Sequence, residues 1–199
     1  MKNIVFGLLS ICLLICGPAN AQLSEELMQA DSFIQSNEYE KALQVVNHTI
    51  DQKPSRFVLS QAYYQLSRVY LGLNDYNKAI YHNRQSLVIR KNLHYEFIAD
   101  NYMLFGLVEM KRGDNDKALG YLFKATELPY ETVEFSGLLY AYIAQVYYRK
   151  NKIDKVLKYY TLAMQTLQTA FEEATQLDLN HYRIRSNRLH YDNFFVGYL

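Results

Sequence analysis

Asn74-Asp75-Tyr76-Asn77-Lys78-Ala79 decides the fold, because the chain writes the same phrase four times. It returns as Asn37-Glu38-Tyr39-Glu40-Lys41-Ala42, as Gly113-Asp114-Asn115-Asp116-Lys117-Ala118 and as Asn151-Lys152-Ile153-Asp154-Lys155-Val156. Ala42, Ala79, Ala118 and Val156 are separated by 37, 39 and 38 residues, and a lysine precedes each of them. A near-constant period of this size is the mark of a repeat architecture.

Each phrase reads as a tight corner between two helices. Asn or Gly accepts the left-handed backbone that ends one helix, and a polar residue such as Asp75 or Asp114 caps the amides of the next. Apolar residues recur at helical spacing before the corner, as in Ala62, Tyr63, Leu66, Val69, Tyr70 and Leu73, and after it, as in Tyr39, Ala42, Leu43, Val46 and Ile50. The unit is therefore a helical hairpin. A small residue at Ala42, Ala79 and Ala118 lets the two helices of a hairpin approach, a rule that Val156 relaxes. Pro54 and Pro129 fall between units, where they break no helix. The pattern predicts first helices over about 23–36, 56–73, 95–112 and 131–150 and second helices over about 38–52, 76–92, 115–128 and 153–176, with no strand.

These residues resemble the tetratricopeptide repeat family. The third unit matches best, with Phe105-Gly106 at the family's Leu-Gly pair, Gly113-Asp114 at its turn, Ala118 and Ala125 at its two small positions and Pro129 near its close. Leu66-Ser67 with Tyr70, Ile143-Ala144 with Tyr147, and Ala30 with Phe33 and Pro54 match in part, while Glu109 stands where the family has an aromatic residue. The resemblance covers residues 23 to about 168 and implies an all-α fold, an α-α superhelix of four hairpins at about 23–56, 57–94, 95–130 and 131–170, within a domain spanning 22–177. Its units exceed the family's commonest length by roughly three to five residues. Residues 178–199 do not repeat the motif and are expected to form a C-terminal capping helix or tail, because an open last repeat exposes an apolar face. That segment carries Arg183, Arg185 and Arg188 before Phe194-Phe195-Val196-Gly197-Tyr198-Leu199, so a docking element is the second reading.

The start of the chain reads as a signal peptide over residues 1–21. Lys2 precedes an apolar run from Ile4 to Ile15 that is short of the ~20 residues a membrane span requires, and Ala19-Asn20-Ala21 is a cleavage pattern. Cleavage after Ala21 and an exported, periplasmic or envelope-associated location are expected. Cys12 and Cys16 both lie in this leader, so no disulfide or thiolate metal site is expected in the mature chain. Leu13-Leu14-Ile15-Cys16 loosely resembles a lipoprotein signal, although Ile15 is larger than the residue usual there; membrane attachment is expected only if Cys16 is lipidated or the leader stays uncleaved. Without Lys2 the 21 basic residues become 20, equal to the 20 acidic ones, and such a balance gives no electrostatic reason to expect nucleic acid.

Chemistry is sparse. His48, His82, His94, His181 and His190 show no metal-ligand spacing, and no nucleophile elbow, phosphate loop or dinucleotide fingerprint occurs. No enzyme activity, cofactor or metal is expected. The resemblance instead implies a protein or peptide held in a groove lined by the first helices, for which Tyr64, Arg68, Met103, Leu107, Met110, Gln145 and Tyr148 are the principal candidates, with Leu27, Asp31, Gln61, Gln65, Asp100, Lys111, Ala141 and Arg149 beside them. Aromatic, methionine and arginine side chains suit protein recognition, although Met103 and Met110 also fit a core. The lysines and asparagines that clamp a C-terminal carboxylate in some family members are missing, Leu27, Asp31, Gln65, Asp100 and Leu104 standing instead. The leading expectation is an exported interaction scaffold; the alternatives are the input module of a bacterial sensory or regulatory system and an envelope lipoprotein of an assembly complex. Neither the partner nor the oligomeric state is read from the sequence.

Overall fold

The structure is a computed structural model that describes residues 18–95, 98–130 and 132–176, with side chains only between 25 and 170. Among the described residues there are eight helices and no strand: α1 (Pro18–Gln35), α2 (Tyr39–Asp51), α3 (Arg56–Gly72), α4 (Tyr76–Asn92), α5 (Ala99–Arg112), α6 (Asn115–Thr126), α7 (Val133–Arg149) and α8 (Ile153–Gln176). Most of the expected leader and all of the expected capping segment 178–199 lie outside them. Two boundaries depart from the sequence pattern. α1 begins at Pro18 rather than near 23, a proline being well suited to a first helical turn where its missing N–H is not needed. α5 begins at Ala99 rather than near 95, because His94 takes a left-handed backbone and Tyr95 N–H closes back on the Arg90 carbonyl at 3.0 Å.

The chain divides into two compact units, Met1–Pro129 and Tyr130–Leu199. In the first, α1 packs on α2, α3 on α4 and α5 on α6; α2 then stacks on α3 and α4 on α5, while α1 lies beside α3 and α3 beside α5. The second unit holds the hairpin α7–α8. This succession of helix pairs is that of an α-α superhelix.

The four corners are built alike. Asn37, Asn74, Gly113 and Asn151 all have positive φ, from 54° to 88°. In each, the next amide reaches back to close the helix end: Glu38 to Phe33 at 2.8 Å, Asp75 to Tyr70 at 2.9 Å, Asp114 to Glu109 at 3.0 Å and Lys152 to Tyr147 at 3.0 Å. Asp75 and Asp114 then accept from the amides of Lys78 and Lys117, each at 3.1 Å. The Lys78 amide and then its ammonium hold the Asp75 carboxyl below the usual range; for Asp114 the Lys117 ammonium leads.

The small positions lie at the helix crossings. Ala42, Ala79 and Ala118 are fully buried, and so are Ala30, Ser67 and Ala144, which occupy the slot of Gly106 in their repeats. Ser67 donates its hydroxyl to the Ala79 carbonyl at 2.7 Å across the hairpin. A Cβ on Gly106 would stand 2.7 Å from Leu122 Cγ and 3.3 Å from the Ala118 carbonyl, so the crossing there is closer still.

The tyrosines recurring in two repeats line the hairpin seams. Tyr70 stacks on His82 with centroids 5.3 Å apart, and Tyr63 lies 5.9 Å from the same ring. Seventy-seven residues on, Tyr147 stacks on Tyr159 at 5.5 Å and Tyr140 lies at 6.3 Å. The recurring lysine covers this slot: Lys41 sits 5.5 Å over Phe33 and Lys78 5.0 Å over Tyr70. In the third repeat the slot holds Glu109, which is 7% exposed and faces Arg112 at 3.6 Å; its charge adds to Asp114 in raising the Lys117 pKa.

Candidate protein-binding face

The first helices of the three hairpins in the first unit bring a set of charged side chains together. On α1, Asp31 accepts from Gln35 at 2.6 Å and forms an ion pair with Arg68 of α3. Arg68 also donates to the Gln65 side-chain oxygen at 2.9 Å, and the Gln65 amide reaches Asp31 at 3.5 Å. The 37-residue step from Asp31 to Arg68 is one repeat, so stacking alone places them side by side.

One repeat further, Arg90 comes up from α4. Its side chain is 7% exposed, and one terminal nitrogen donates to both carboxylate oxygens of Asp100, at 2.6 and 2.7 Å, and to the Asn101 side chain at 2.9 Å. Its guanidinium lies 5.0 Å from the ring centre of Tyr64 and 5.6 Å from that of Tyr95, while its Nε is buried without a hydrogen-bond partner. Asn101 and Asn83 clasp each other, Asn83 donating to the Asn101 carbonyl at 2.8 Å and Asn101 to the Asn83 side-chain oxygen at 2.7 Å, with Ser86 at 3.2 Å. The polar stripe Asn83–Ser86–Arg90 on α4 thus locks the third repeat onto the second.

Tyr64 stands between the two ion pairs. Burial pushes its hydroxyl well above the usual tyrosine range; the Asp100 charge adds to this, and Arg68 and Arg90 oppose it. A hydroxyl kept protonated next to a carboxylate remains a donor at any ordinary pH. The face therefore offers paired cations and anions, amides and a phenol, each group largely compensated by a neighbour. Such a surface can exchange hydrogen bonds with a polypeptide and holds no nucleophile–base pair.

Of the sequence candidates, Tyr64 and Arg68 belong to this cluster, with Gln65, Asp31 and Asp100. Leu107 is half-buried on α5. Met103 and Met110 are core residues, 8% and 4% exposed, with little surface to offer a guest. Gln145 and Tyr148 lie in the second unit on α7, half-buried and 54% exposed respectively. Sequence reasoning missed Arg90, Asn83, Ser86 and Asn101, because Asn83, Ser86 and Arg90 at helical spacing imitate a solvated face. Among the described residues, no group of three or more His, Cys, Asp or Glu is placed to hold a metal ion, and no helix is long and apolar enough to cross a membrane.

Helical hairpins stacked so that their first helices form one continuous face define an α-α repeat protein. The family model of the tetratricopeptide repeat matches residues 60–80, from the middle of α3 through the corner into α4. The match covers one repeat's corner and, with the stacked helix pairs, supports a tetratricopeptide-type repeat and a protein–protein interaction module in general. No curated protein matches it.

Proposed function

We propose that this protein is an exported, non-catalytic scaffold that holds a peptide or protein partner against the face formed by α1, α3 and α5. The observation that carries the reading is the convergence of Asp31, Tyr64, Gln65, Arg68 and Asp100 from three consecutive repeats onto one surface. Packing alone does not call for the Asp31–Arg68 pair, since a partly exposed pair of this kind contributes little to stability. Aromatic and arginine side chains set among hydrogen-bonding groups are what protein interfaces concentrate. Export rests on the leader-like sequence of residues 1–21, and cleavage after Ala21 leaves α1 intact from Gln22 onward.

The test is a pull-down from envelope extract with the mature chain, run beside Arg68→Ala and Leu107→Asp variants. Both side chains are partly exposed on the first helices, so helicity should be retained. The expected result is that the same protein is lost from both variants; equal recovery of every captured protein by all three chains would overturn the assignment of this face.

A further inference from the structure

One side of α4 carries side chains that the packing of the hairpins does not use. Tyr81, Arg84 and Val88 recur at steps of three and four residues, so they share a side of the helix, and all three are exposed. The Asn83–Ser86–Arg90 stripe lies on a different side, Asn83 being turned about 100° from Arg84. Beside the exposed set runs a shallow groove of about 490 Å³, lined by Asn77, Ile80, Tyr81, Arg84 and Gln85 of α4 and by Arg112 from the end of α5. It leads into a second hollow of about 440 Å³ that shares Asn77 and Arg112 and reaches the corner at Leu73.

Two guanidinium groups from different repeats therefore face one groove. Arg112 donates from Nη2 to the Asn77 side-chain oxygen, while its Nη1 lies 3.6 Å from the Glu109 carboxylate, beyond a full hydrogen bond. Most of its N–H donors thus stay open to an acceptor. Arg84 makes no hydrogen bond or ion pair among the described residues. No acid lines the first hollow, and in the second the Asp75 carboxylate is engaged by Lys78 at 3.1 Å.

The repeat does not dictate this arrangement. The slot of Arg84 holds Asn47 and Phe123 in the repeats before and after, that of Tyr81 holds Gln44 and Gly120, and that of Arg112 holds Leu73 and Lys150. Glu109 stands where the other repeats have Phe33, Tyr70 and Tyr147, and this exchange of a ring for a carboxylate gives Arg112 its partner.

We infer that the groove is a docking site for an extended acidic peptide segment, separate from the α1–α3–α5 face, with a carboxylate seated against Arg84 and Arg112 and an apolar neighbour against Tyr81 or Leu73. A guanidinium matches a carboxylate through paired N–H donors, and the guest's charge relieves the repulsion of two arginines turned to one groove. Tyr76 to Gln85 rises roughly 14 Å along α4, the length of about four extended residues. A small free anion would meet the arginines and leave the exposed Tyr81 and Leu73 side chains unused.

The test is fluorescence anisotropy with rhodamine-labelled hexapeptides that carry one glutamate and one phenylalanine at every pair of positions in a glycine–serine background, each beside its glutamine counterpart. Expected is a subset of glutamate peptides that binds about tenfold more tightly than the glutamine forms, with affinity falling as salt is raised. Arg84→Ala, at an exposed and unpaired position, and Arg112→Gln should each weaken that subset about tenfold at unchanged far-ultraviolet helicity. Lys53→Gln, which removes the same charge from an exposed loop position, and Arg68→Ala on the other face should leave it alone. Binding by no peptide, equal binding of the glutamine forms, binding that survives Arg84→Ala, or an equal loss in Lys53→Gln or Arg68→Ala overturns the inference. So does displacement by inorganic phosphate beyond that by chloride of the same ionic strength, which would make the groove a site for free anions. Arg68→Ala weakens only the face probed by the pull-down, so the two results stand or fall separately.

Discussion

At the scale of single residues, one buried group and one half-buried group set the molecule's sensitivities. Arg90 is held by Asp100, Asn101 and two tyrosine rings, and a buried cation is tolerable only while such partners remain. Asp100→Asn leaves the guanidinium buried without its carboxylate and should cost on the order of 3 kcal/mol in urea unfolding. Arg90→Met removes the buried charge itself and leaves Asp100 with partial access to water, so it should cost less; the opposite order would show that the aspartate, not the arginine, is the group in need of compensation. His82 is the second case. Burial first, and the Lys78 charge second, hold its pKa below 6.5, with Asp75 pulling the other way and the rings of Tyr63, Tyr70 and Tyr81 packed around it. With the folded pKa depressed, the stability that His82 contributes is complete above the unfolded value of 6.5 and is lost as pH falls through the lower folded value. Thermal melts stepped down from neutral pH should show the midpoint falling in that window, well before Asp75 and Asp114 titrate. His82→Tyr, which copies Tyr159 in the equivalent slot, should remove that part of the fall; an unchanged slope in the variant would assign it to another group.

At the scale of the element, the crossing of α5 and α6 leaves no room for a Cβ at its centre. Gly106→Ala gains about 1 kcal/mol of helix propensity but drives a Cβ to 2.7 Å from the Cγ of Leu122, a side chain with no exposed surface in which to relax. Overpacking of this kind costs roughly 1–3 kcal/mol, so the substitution should be neutral to destabilising on its own. Leu122→Val should then be less harmful in the Gly106→Ala background than in the parent, and strictly additive effects would mean that the two side chains do not meet. The corners and crossings could be read from the sequence because their causes are local. A left-handed residue, a cap and a small side chain each act within one hairpin, and the 37- to 39-residue period repeats them. α4 was legible as a helix for the same reason, but not as the carrier of a locking network. Asn83, Ser86 and Arg90 become partners only when Asn101 and Asp100 arrive from the following repeat, and nothing local distinguishes such a stripe from a solvated one. Met103 and Met110 show the converse: their spacing placed them on a first helix, but which side of that helix faced inward depended on the neighbours.

At the scale of the whole molecule, a chain built from hairpins that contact only their neighbours should lose stability piecewise rather than all at once. The first unit shows the ingredients. Leu27, Ala30, Val46, Val58, Ala62 and Leu66 form one core cluster across α1, α2 and α3, whereas Leu104, Val108, Leu119 and Leu122 are buried on α5 and α6. Between the two groups runs a polar network of Asn83, Ser86, Arg90, Asp100 and Asn101. Polar contacts of this kind contribute a modest net stabilisation and depend on geometry, so they should transmit less of a local loss than a continuous apolar core would. Val46→Ala removes two fully buried methyl groups, worth roughly 2 kcal/mol with the cavity left behind. Followed by amide hydrogen exchange, that substitution should lower protection through α1, α2 and α3 while α5 and α6 keep most of theirs. Asp100→Asn in the same background should widen the difference, since it weakens the polar lock that couples the two groups. Protection lost equally across all six helices would instead mean that the lock is rigid enough to make the first unit fold and unfold as one.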